Sequence, residues 1–150
     1  MFLTGTFSRS IDEKCRIAIP KRLRDVLEAK ENKGVYLTPG TDGSLVIYTE
    51  EAFGRLAERL AQESPTRHDV RAFMRLFFAQ AQRVELDGQG RILIPQELVA
   101  FAKLDKEVVL LGVQDHVEVW AAERWQAYLG EKQAQYDQLA EGAFHGPGSA

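Results

Sequence analysis

The chain has 150 residues, of which 45% are hydrophobic and 27% charged, a balance typical of a globular protein with a core of its own. Its net charge of −3 argues against a protein that binds polyanions over its whole surface, and its one cysteine excludes an internal disulfide framework. The sequence shows neither a signal peptide nor an apolar run of the roughly 18 residues that a membrane span needs, so we predict a cytoplasmic protein.

The first structured segment is predicted to be a β-hairpin. A strand over residues 5–9 places Phe7 and Ile11 on one face, a polar turn follows, and a second apolar strand runs over 17–19. Asp12 begins the turn, where its carboxylate can accept a hydrogen bond from a backbone N–H group two residues further on. The segment therefore has the pattern strand, turn, strand.

A short helix and two more strands are predicted after this motif. Proline suits the first turn of a helix, so Pro20 is expected to open a helix over 20–29, and Gly34 is expected to cap its end. Apolar runs at 35–38 and 45–48 predict two strands around a joint that is rich in turn residues.

Two helices are predicted in the connector that follows, residues 53–82. Thr49 is a hydroxyl cap for the first helix, and an acidic first turn follows it. Apolar residues recur at helical spacing in both helices, and residues 64–66 separate them. Thr66 and Asp69 resemble a capping pair at the start of the second helix.

The second half of the chain repeats the first. Residues 85–98 match residues 10–23 at a constant offset, which chance makes improbable, so we infer a duplicated unit. The matched pairs include Asp12 and Asp87, Arg16 and Arg91, and Pro20 and Pro95. At the same offset Cys15 corresponds to Gly90, and a side chain costs about 1–2 kcal/mol there if the backbone is left-handed.

The rest of the second half follows the same order of elements. Strands are predicted at 108–111 and 117–120, and Trp125, Tyr128 and Tyr136 suggest a C-terminal helix with an apolar face. The predicted organisation is a first unit, a helical connector, a second unit, a C-terminal helix and a disordered tail. Their boundaries are 1–52, 53–82, 83–122, 123–141 and 142–150.

The motif Asp-x-x-x-Arg, followed by Ile-x-Ile-Pro and a short helix, resembles the AbrB/MazE/MraZ group of swapped-hairpin DNA binders. Two copies in one chain, the opening Met1-Phe2-x-x-Gly5 and the closing segment from Gly112 to Trp120 resemble the MraZ family in particular. The resemblance implies a mixed β fold with helices (α+β). In that fold, duplicated AbrB-like swapped-hairpin units form a double-split β-barrel with helical appendages, and the protein assembles into closed rings.

The basic residues are unevenly distributed between the two units. Residues 1–24 carry six basic and two acidic side chains, a net charge of +4, whereas residues 83–106 carry four of each. Local charge sets where an anionic partner docks, so the first unit is the better candidate for binding nucleic acid. The candidate DNA-binding residues are Arg9, Lys14, Arg16, Lys21, Arg24 and Arg91, with Arg22 in the same basic cluster.

Arg16 and Arg91 allow two interpretations. The planar guanidinium suits a DNA phosphate or a guanine edge, but it also suits an internal salt bridge to Asp12 or Asp87 that would lock the turn. Spacing alone favours the salt bridge. The resemblance favours DNA contact for Arg16, and Arg91 stays open between the two.

Other polar residues carry weaker signals. Lys14 and Arg16 would lower the pKa of a thiol between them, but a tolerated substitution is the favoured interpretation of Cys15. The three histidines lack metal-ligand spacing, and no catalytic motif is present, so no enzyme and no cofactor are predicted. A basic stripe on the second connector helix is expected to be solvated or ion-paired; it consists of Arg67, Arg71 and Arg75.

The sequence and the resemblance together predict a transcriptional regulator, a repressor of the division and cell-wall gene cluster. It would bind promoter direct repeats in double-stranded DNA through its N-terminal motif, as a ring homo-oligomer at the nucleoid. The alternative is a protein-interaction module, either an antitoxin-like partner binder or a ring scaffold, which the acidic total charge and the apolar helices favour. The aromatic residues of the helices fit core packing first and a subunit interface second.

Overall fold

The computed structural model describes residues 2–28 and 34–146, and this part of the chain contains eight strands and six α-helices. The first half contains β1 (Thr6–Ser10), β2 (Arg16–Ala18), α1 (Lys21–Leu27), β3 (Gly34–Pro39), β4 (Leu45–Thr49), α2 (Glu50–Ala61) and α3 (His68–Gln80). The second half contains β5 (Gln82–Glu85), β6 (Arg91–Leu93), α4 (Gln96–Phe101), β7 (Glu107–Val113), β8 (His116–Ala121), α5 (Ala122–Lys132) and α6 (Tyr136–His145).

The two halves have the same order of elements, as the duplication predicts. In both, a short helix begins directly after a proline whose φ is close to −60°: Pro20 precedes α1 and Pro95 precedes α4. The proline lacks an N–H that the first turn of a helix would leave unpaired anyway. The α+β class and the duplicated units are thus confirmed.

The strands of the two halves are interleaved. In the described residues six strands form one antiparallel sheet in the order β1-β7-β8-β4-β3-β5, and β2 pairs with β6 in a separate two-stranded ribbon. Exchanging the two halves exchanges β1 with β5, β7 with β3 and β8 with β4, so the strand order has an internal twofold symmetry. Neither half has a complete sheet of its own.

The interleaving corrects the simple hairpin expected from the residues alone. The turn after Ile11 is formed, but the strands on its two sides are joined only by one bridge between Ile11 and Ile17. β1 pairs along its length with β7 instead, and β2 pairs with β6. This is the swapped arrangement that the family resemblance implies.

The core lies between the six-stranded sheet and the ribbon. Alternate residues of β3, β4, β7 and β8 point inward, and the ribbon contributes Ile17 and Ile92, both of which are fully buried. Leu23 of α1 and Leu98 of α4 fill symmetry-related positions. A single core shared by both halves follows from this packing.

The outer face of the sheet is covered by the longer helices. Tyr36 of β3 stacks on Phe53 of α2, with ring centroids 4.2 Å apart. On the other half Trp120 of β8 packs against Trp125 of α5, at 5.4 Å. Aromatic pairs therefore fix the equivalent helix of each half to its own sheet region.

The N-terminal segment crosses the end of β7. Leu3 is buried and forms a bridge with Gln114, and the N–H group of Gly112 donates a hydrogen bond of 2.9 Å to the carbonyl of Gly5. A Cβ atom added at Gly112 would lie 2.4 Å from the backbone nitrogen of Thr4. Position 112 therefore has no room for a side chain.

Two predictions about helix ends are wrong. Gly34 does not cap α1, which ends at Leu27, because it begins β3 beside Glu85; residues 29–33 lie outside the described residues. Thr66 and Asp69 are not a capping pair: the hydroxyl of Thr66 bonds to Ser64, and Asp69 pairs with Arg67.

The C-terminal helical region also differs from the prediction. Instead of one helix over 123–141, α5 is followed by a 3-10 turn at Gln133–Gln135 and then by α6, which runs through His145. The first four residues of the predicted tail 142–150 are therefore helical, and residues 147–150 lie outside the described part of the chain. Among the helices that are described, none has the length and apolar character to cross a membrane.

Candidate nucleic-acid interface

Two polar loops of the same design stand side by side at the ends of the ribbon. In the first loop, residues 12–16, one carboxylate oxygen of Asp12 accepts hydrogen bonds from the backbone N–H groups of Lys14 and Arg16, both at 2.9 Å. In the second, residues 87–91, Asp87 accepts from Gln89 and Arg91, also at 2.9 Å. The predicted role of the aspartate in the turn is confirmed in both copies.

The other carboxylate oxygen of each aspartate holds the arginine that ends its loop. Nε of Arg16 lies 2.8 Å from Oδ2 of Asp12, and Nε of Arg91 lies 2.9 Å from Oδ2 of Asp87. The backbone N–H of the arginine is the main cause that lowers the pKa of each aspartate, so both carboxylates stay charged at neutral pH. The salt-bridge interpretation of both arginines is thus confirmed.

This contact leaves part of each guanidinium available. Only Nε is used by the aspartate, and neither Nη atom donates a hydrogen bond to another described residue. The side chains keep 30% of their surface exposed at Arg16 and 27% at Arg91. An arginine fixed through Nε can present its two terminal nitrogens in one orientation, which suits bidentate contact with a phosphate or a guanine.

The ribbon places both arginines on one outward face. Arg16 stands opposite Leu93, and Ala18 stands opposite Arg91, while the intervening pair of isoleucines points into the core. Leu93 is 55% exposed although it is apolar. The sequence analysis missed Leu93, and the alternation of buried Ile92 and Ile94 around it is the signal that would have found it.

The two loops are joined by backbone hydrogen bonds across the internal symmetry. The N–H group of Ile19 donates to the carbonyl of Gly90 at 2.9 Å, and that of Ile94 donates to the carbonyl of Cys15 at 2.8 Å. Each loop is thus held by the strand end of the other half. The two arginines therefore belong to one rigid surface and not to two independent loops.

Arg24 lies against the second loop, although its position in the sequence places it in the first unit. Its Nε donates a hydrogen bond of 2.9 Å to the carbonyl of Ile19, and its side chain covers Gly90, where an added Cβ would approach Cδ to 2.7 Å. Arg24 is half-buried as a result. Its guanidinium brings a positive charge from the basic unit to the neutral one.

The remaining candidate residues stand in different surroundings. Lys14 is exposed at the tip of the first loop. Arg9 lies on β1 in the large sheet and donates to the carbonyl of Ser8, while Lys21 on α1 pairs with Asp25 at 3.0 Å. The structure thus brings four of the candidates together at the ribbon and its loops, and places Arg9 and Lys21 on neighbouring elements. The four are Lys14, Arg16, Arg24 and Arg91.

Two further basic groups are engaged within the protein. Arg22 donates a hydrogen bond of 3.0 Å to the hydroxyl of Thr4 and lies over the ring of Phe7. At the start of α3, Arg67 just before the helix pairs with Asp69, and Arg71 on the helix donates to the carbonyl of Thr66. The interpretation of the basic stripe as a solvated or ion-paired face is confirmed for Arg67, whereas the half-buried Arg71 is held by a backbone carbonyl instead of an acidic partner.

Cys15 occupies a left-handed position, with φ of 62°, and the equivalent Gly90 has φ of 74°. A Cβ atom in a left-handed position destabilises the folded state by about 1–2 kcal/mol. A glycine there instead lowers stability by about 0.4–1 kcal/mol, because it gives the unfolded chain more conformational entropy. Cys15→Gly is therefore expected to raise the free energy of unfolding by about 0.5–1 kcal/mol, measured by urea denaturation.

The matched control for this change is Cys15→Ala, which removes the sulfur but keeps Cβ and hence the strain. It also removes the contact of 3.5 Å between the sulfur and Nε2 of Gln96. The alanine variant is expected to show no gain in stability. Equal stability of the glycine and alanine variants would contradict the strain argument.

A second surface feature is an apolar groove on the outer face of the sheet, between α3 and the β4–β8 pair. Its volume is about 640 Å³, and its walls include the exposed side chains of Phe73 and Leu76. At one side His116 bonds to both Asp115 and Glu118, and its contact with Glu118 is the main cause that raises its pKa. Among the described residues, no three His, Cys, Asp or Glu side chains are grouped to hold a metal ion.

Comparison with known proteins agrees with the duplicated architecture. A family model described as "MraZ protein, putative antitoxin-like" matches residues 2–76 and, a second time, residues 77–145. The division between the two matches falls within α3, just before the second unit.

Curated relatives align with almost the whole chain. The protein named Transcriptional regulator MraZ from Moorella thermoacetica is 43% identical over 141 residues, which are 94% of this chain and 95% of the relative. Proteins of the same name from Finegoldia magna and Lactiplantibacillus plantarum are 39% identical over 142 residues and 41% identical over 137 residues. These cover 95% and 91% of this chain, and 96% and 94% of the relatives. With two matches to the family model and this extent of identity, the chain belongs to the MraZ family.

Proposed function

We propose that the protein is a transcriptional regulator, not an enzyme, and that it binds double-stranded DNA through the β2–β6 ribbon and its two loops. The observation that carries this proposal is the pair of arginines, Arg16 and Arg91, each fixed through Nε and partly exposed on one face of the ribbon. The major groove of DNA admits a two-stranded β-ribbon. The names of the relatives support the same function.

The basic residues have different roles in this proposal. Arg16 and Arg91 direct their terminal nitrogens to guanine edges or to the phosphates at the groove margin. Lys14 and Arg24 contact phosphates next to the two loops, and Arg9 and Lys21 contact phosphates further out. Such phosphate contacts set the position of the protein on the duplex without reading its sequence.

The target follows from the family resemblance. We propose that the DNA sites are direct repeats in the promoter ahead of the division and cell-wall gene cluster, including the gene of this chain itself, and that binding represses transcription. The protein would then act in the cytoplasm, at the nucleoid. One chain contains both loops, so each chain can bind one repeat.

Several chains are proposed to assemble into a ring, in which the apolar side of α6 from one copy fills the groove of the next. Tyr136, Leu139 and Phe144 of α6 are exposed, and Phe144 keeps 88% of its surface. Phe73 and Leu76 in the wall of the groove would contact these side chains. A contact between two different surfaces of the same chain repeats from copy to copy and closes into a ring if the rotation allows.

The assembly is tested by measuring the mass of the free protein in solution. Leu76→Ser, at a residue that is 64% exposed, is expected to lower the mass to that of smaller species without loss of fold. Leu93→Ser is the matched control, because it removes a leucine on the ribbon that is also more than half exposed, and it is expected to keep the wild-type mass. An unchanged mass for Leu76→Ser would contradict this interface.

DNA binding itself is tested by a footprint on the DNA upstream of this chain's own gene, followed by affinity measurements over a salt series. Phosphate contacts release counterions, so the logarithm of the affinity is expected to fall linearly with the logarithm of the salt concentration, by about 0.9 for each phosphate. A slope near zero would refute the proposed interface.

The second candidate is a protein-interaction module, an antitoxin-like partner binder or a ring scaffold. The apolar groove favours it, because a concave apolar surface of this size also fits a helix of another protein. Co-purification of a partner in a fixed ratio, together with failure to retain the promoter fragment, would favour this function over DNA binding.

A further inference from the structure

We propose that Leu93 determines part of the DNA sequence specificity by contacting the 5-methyl group of a thymine in the major groove. This inference rests on the proposed function, because it assigns a role to one residue of the same ribbon. The basic side chains account for the charged contacts of this surface, but they leave its exposed leucine without a role.

The position of Leu93 carries the proposal. It stands directly opposite Arg16 in the ribbon, and Arg91 lies on the same face two residues earlier. Side chains opposite each other in an antiparallel pair have Cβ atoms about 4.5–5.5 Å apart. When the terminal nitrogens of Arg16 reach a base pair, Leu93 therefore lies within one base step of the same position.

The chemistry of the major groove determines which group of the DNA Leu93 can contact. Base edges in the major groove present hydrogen-bond donors and acceptors, and thymine adds an apolar methyl group. A leucine cannot form hydrogen bonds with the donors and acceptors of the base edges. Contact with them would remove their water without replacing its hydrogen bonds. The thymine methyl is thus the group that an exposed leucine can bury favourably at this position.

The internal symmetry makes this contact directional. The residue of the first half that corresponds to Leu93 is Ala18, which stands opposite Arg91 in the ribbon. The methyl group of Ala18 is too short to reach as far into the groove. The two halves of the ribbon therefore read different base pairs, and the site of one chain has a direction, which suits repeats in the same orientation.

The test uses duplexes that contain one footprinted repeat from the DNA upstream of this chain's own gene. In each duplex one thymine is replaced by uracil, which removes only the 5-methyl group. For the wild-type protein, one such replacement is expected to weaken binding about fourfold, the effect of losing one buried methyl-sized group. For Leu93→Ala the same replacement is expected to change the affinity by less than twofold.

Val113→Ala is the matched control, because it shortens another exposed apolar side chain on a strand of the large sheet. This variant is expected to keep the wild-type response to uracil. If no uracil replacement weakens wild-type binding, or if Leu93→Ala responds as the wild type does, the role of Leu93 is refuted while salt-dependent DNA binding stands. Absence of any salt-dependent binding by the wild type would instead refute the proposed function and this inference with it.

Discussion

Replacing Arg16 by alanine is expected to weaken binding to the promoter repeat by about tenfold to a hundredfold. The estimate follows from the loss of one bidentate arginine contact, which contributes about 1–3 kcal/mol of discrimination at a base pair. The aspartate makes the loss larger than that of a mobile arginine, because it fixes the guanidinium before DNA arrives. Fluorescence anisotropy with a labelled duplex measures the change.

One further variant separates the shape of the side chain at position 16 from its charge, and another tests an arginine outside the ribbon. Arg16→Lys keeps the charge but cannot form the bidentate contact, so it is expected to keep the salt dependence and to lose most of the specificity. Arg75→Ala removes an exposed arginine on α3 and is expected to leave the affinity within twofold of the wild type. Full affinity in Arg16→Ala would mean that Arg16 serves only its salt bridge with Asp12.

Replacing Gly112 by alanine is expected to lower the free energy of unfolding by about 3–5 kcal/mol. The new Cβ would lie within 2.7 Å of three backbone atoms of Thr4, so the N-terminal segment must leave β7. That movement breaks the hydrogen bonds of the segment, each contributing about 0.5–1.5 kcal/mol, and exposes Leu3, whose burial contributes about 1.5–3 kcal/mol. Urea denaturation measures the loss.

The matched control for this change is Gly130→Ala on α5. A Cβ added there meets nothing within 4 Å, and alanine favours a helix over glycine by about 0.5–1 kcal/mol. This variant is expected to be as stable as the wild type or more stable. A loss of similar size in both variants would show that the close approach of Thr4 is not the cause.

The local elements and the loops could be predicted from the sequence because their signals are local. Apolar runs around turn-rich joints predicted β3, β4, β7 and β8, and the position of Pro20 and Pro95 predicted the start of both short helices. The spacing of Asp12 and Arg16 predicted a self-contained turn with an internal salt bridge. Each of these features depends on residues no more than a few positions apart.

Contacts between residues far apart in the sequence could not be predicted from the local arrangement of apolar and polar residues. No periodicity indicates that β1 pairs with β7 instead of β2, and only the family resemblance implied the exchange. The contact of Arg24 with the loop of the other half depends on the same exchange. The wrong cap at Gly34 has a related cause, because a glycine that follows a helix can also begin a strand whose partner lies far along the chain.

The pairing of β1 with β7 also constrains how the protein is made. Ser10 lies beside Glu107, so a nascent chain that has not yet emerged from the ribosome as far as β7 leaves β1 with both edges unpaired. Topologies dominated by such long-range pairings fold slowly, and unpaired edges promote aggregation. Folding is thus completed only late in translation, and a prematurely terminated product that lacks β7 is a substrate for chaperones and proteases instead of a functional half.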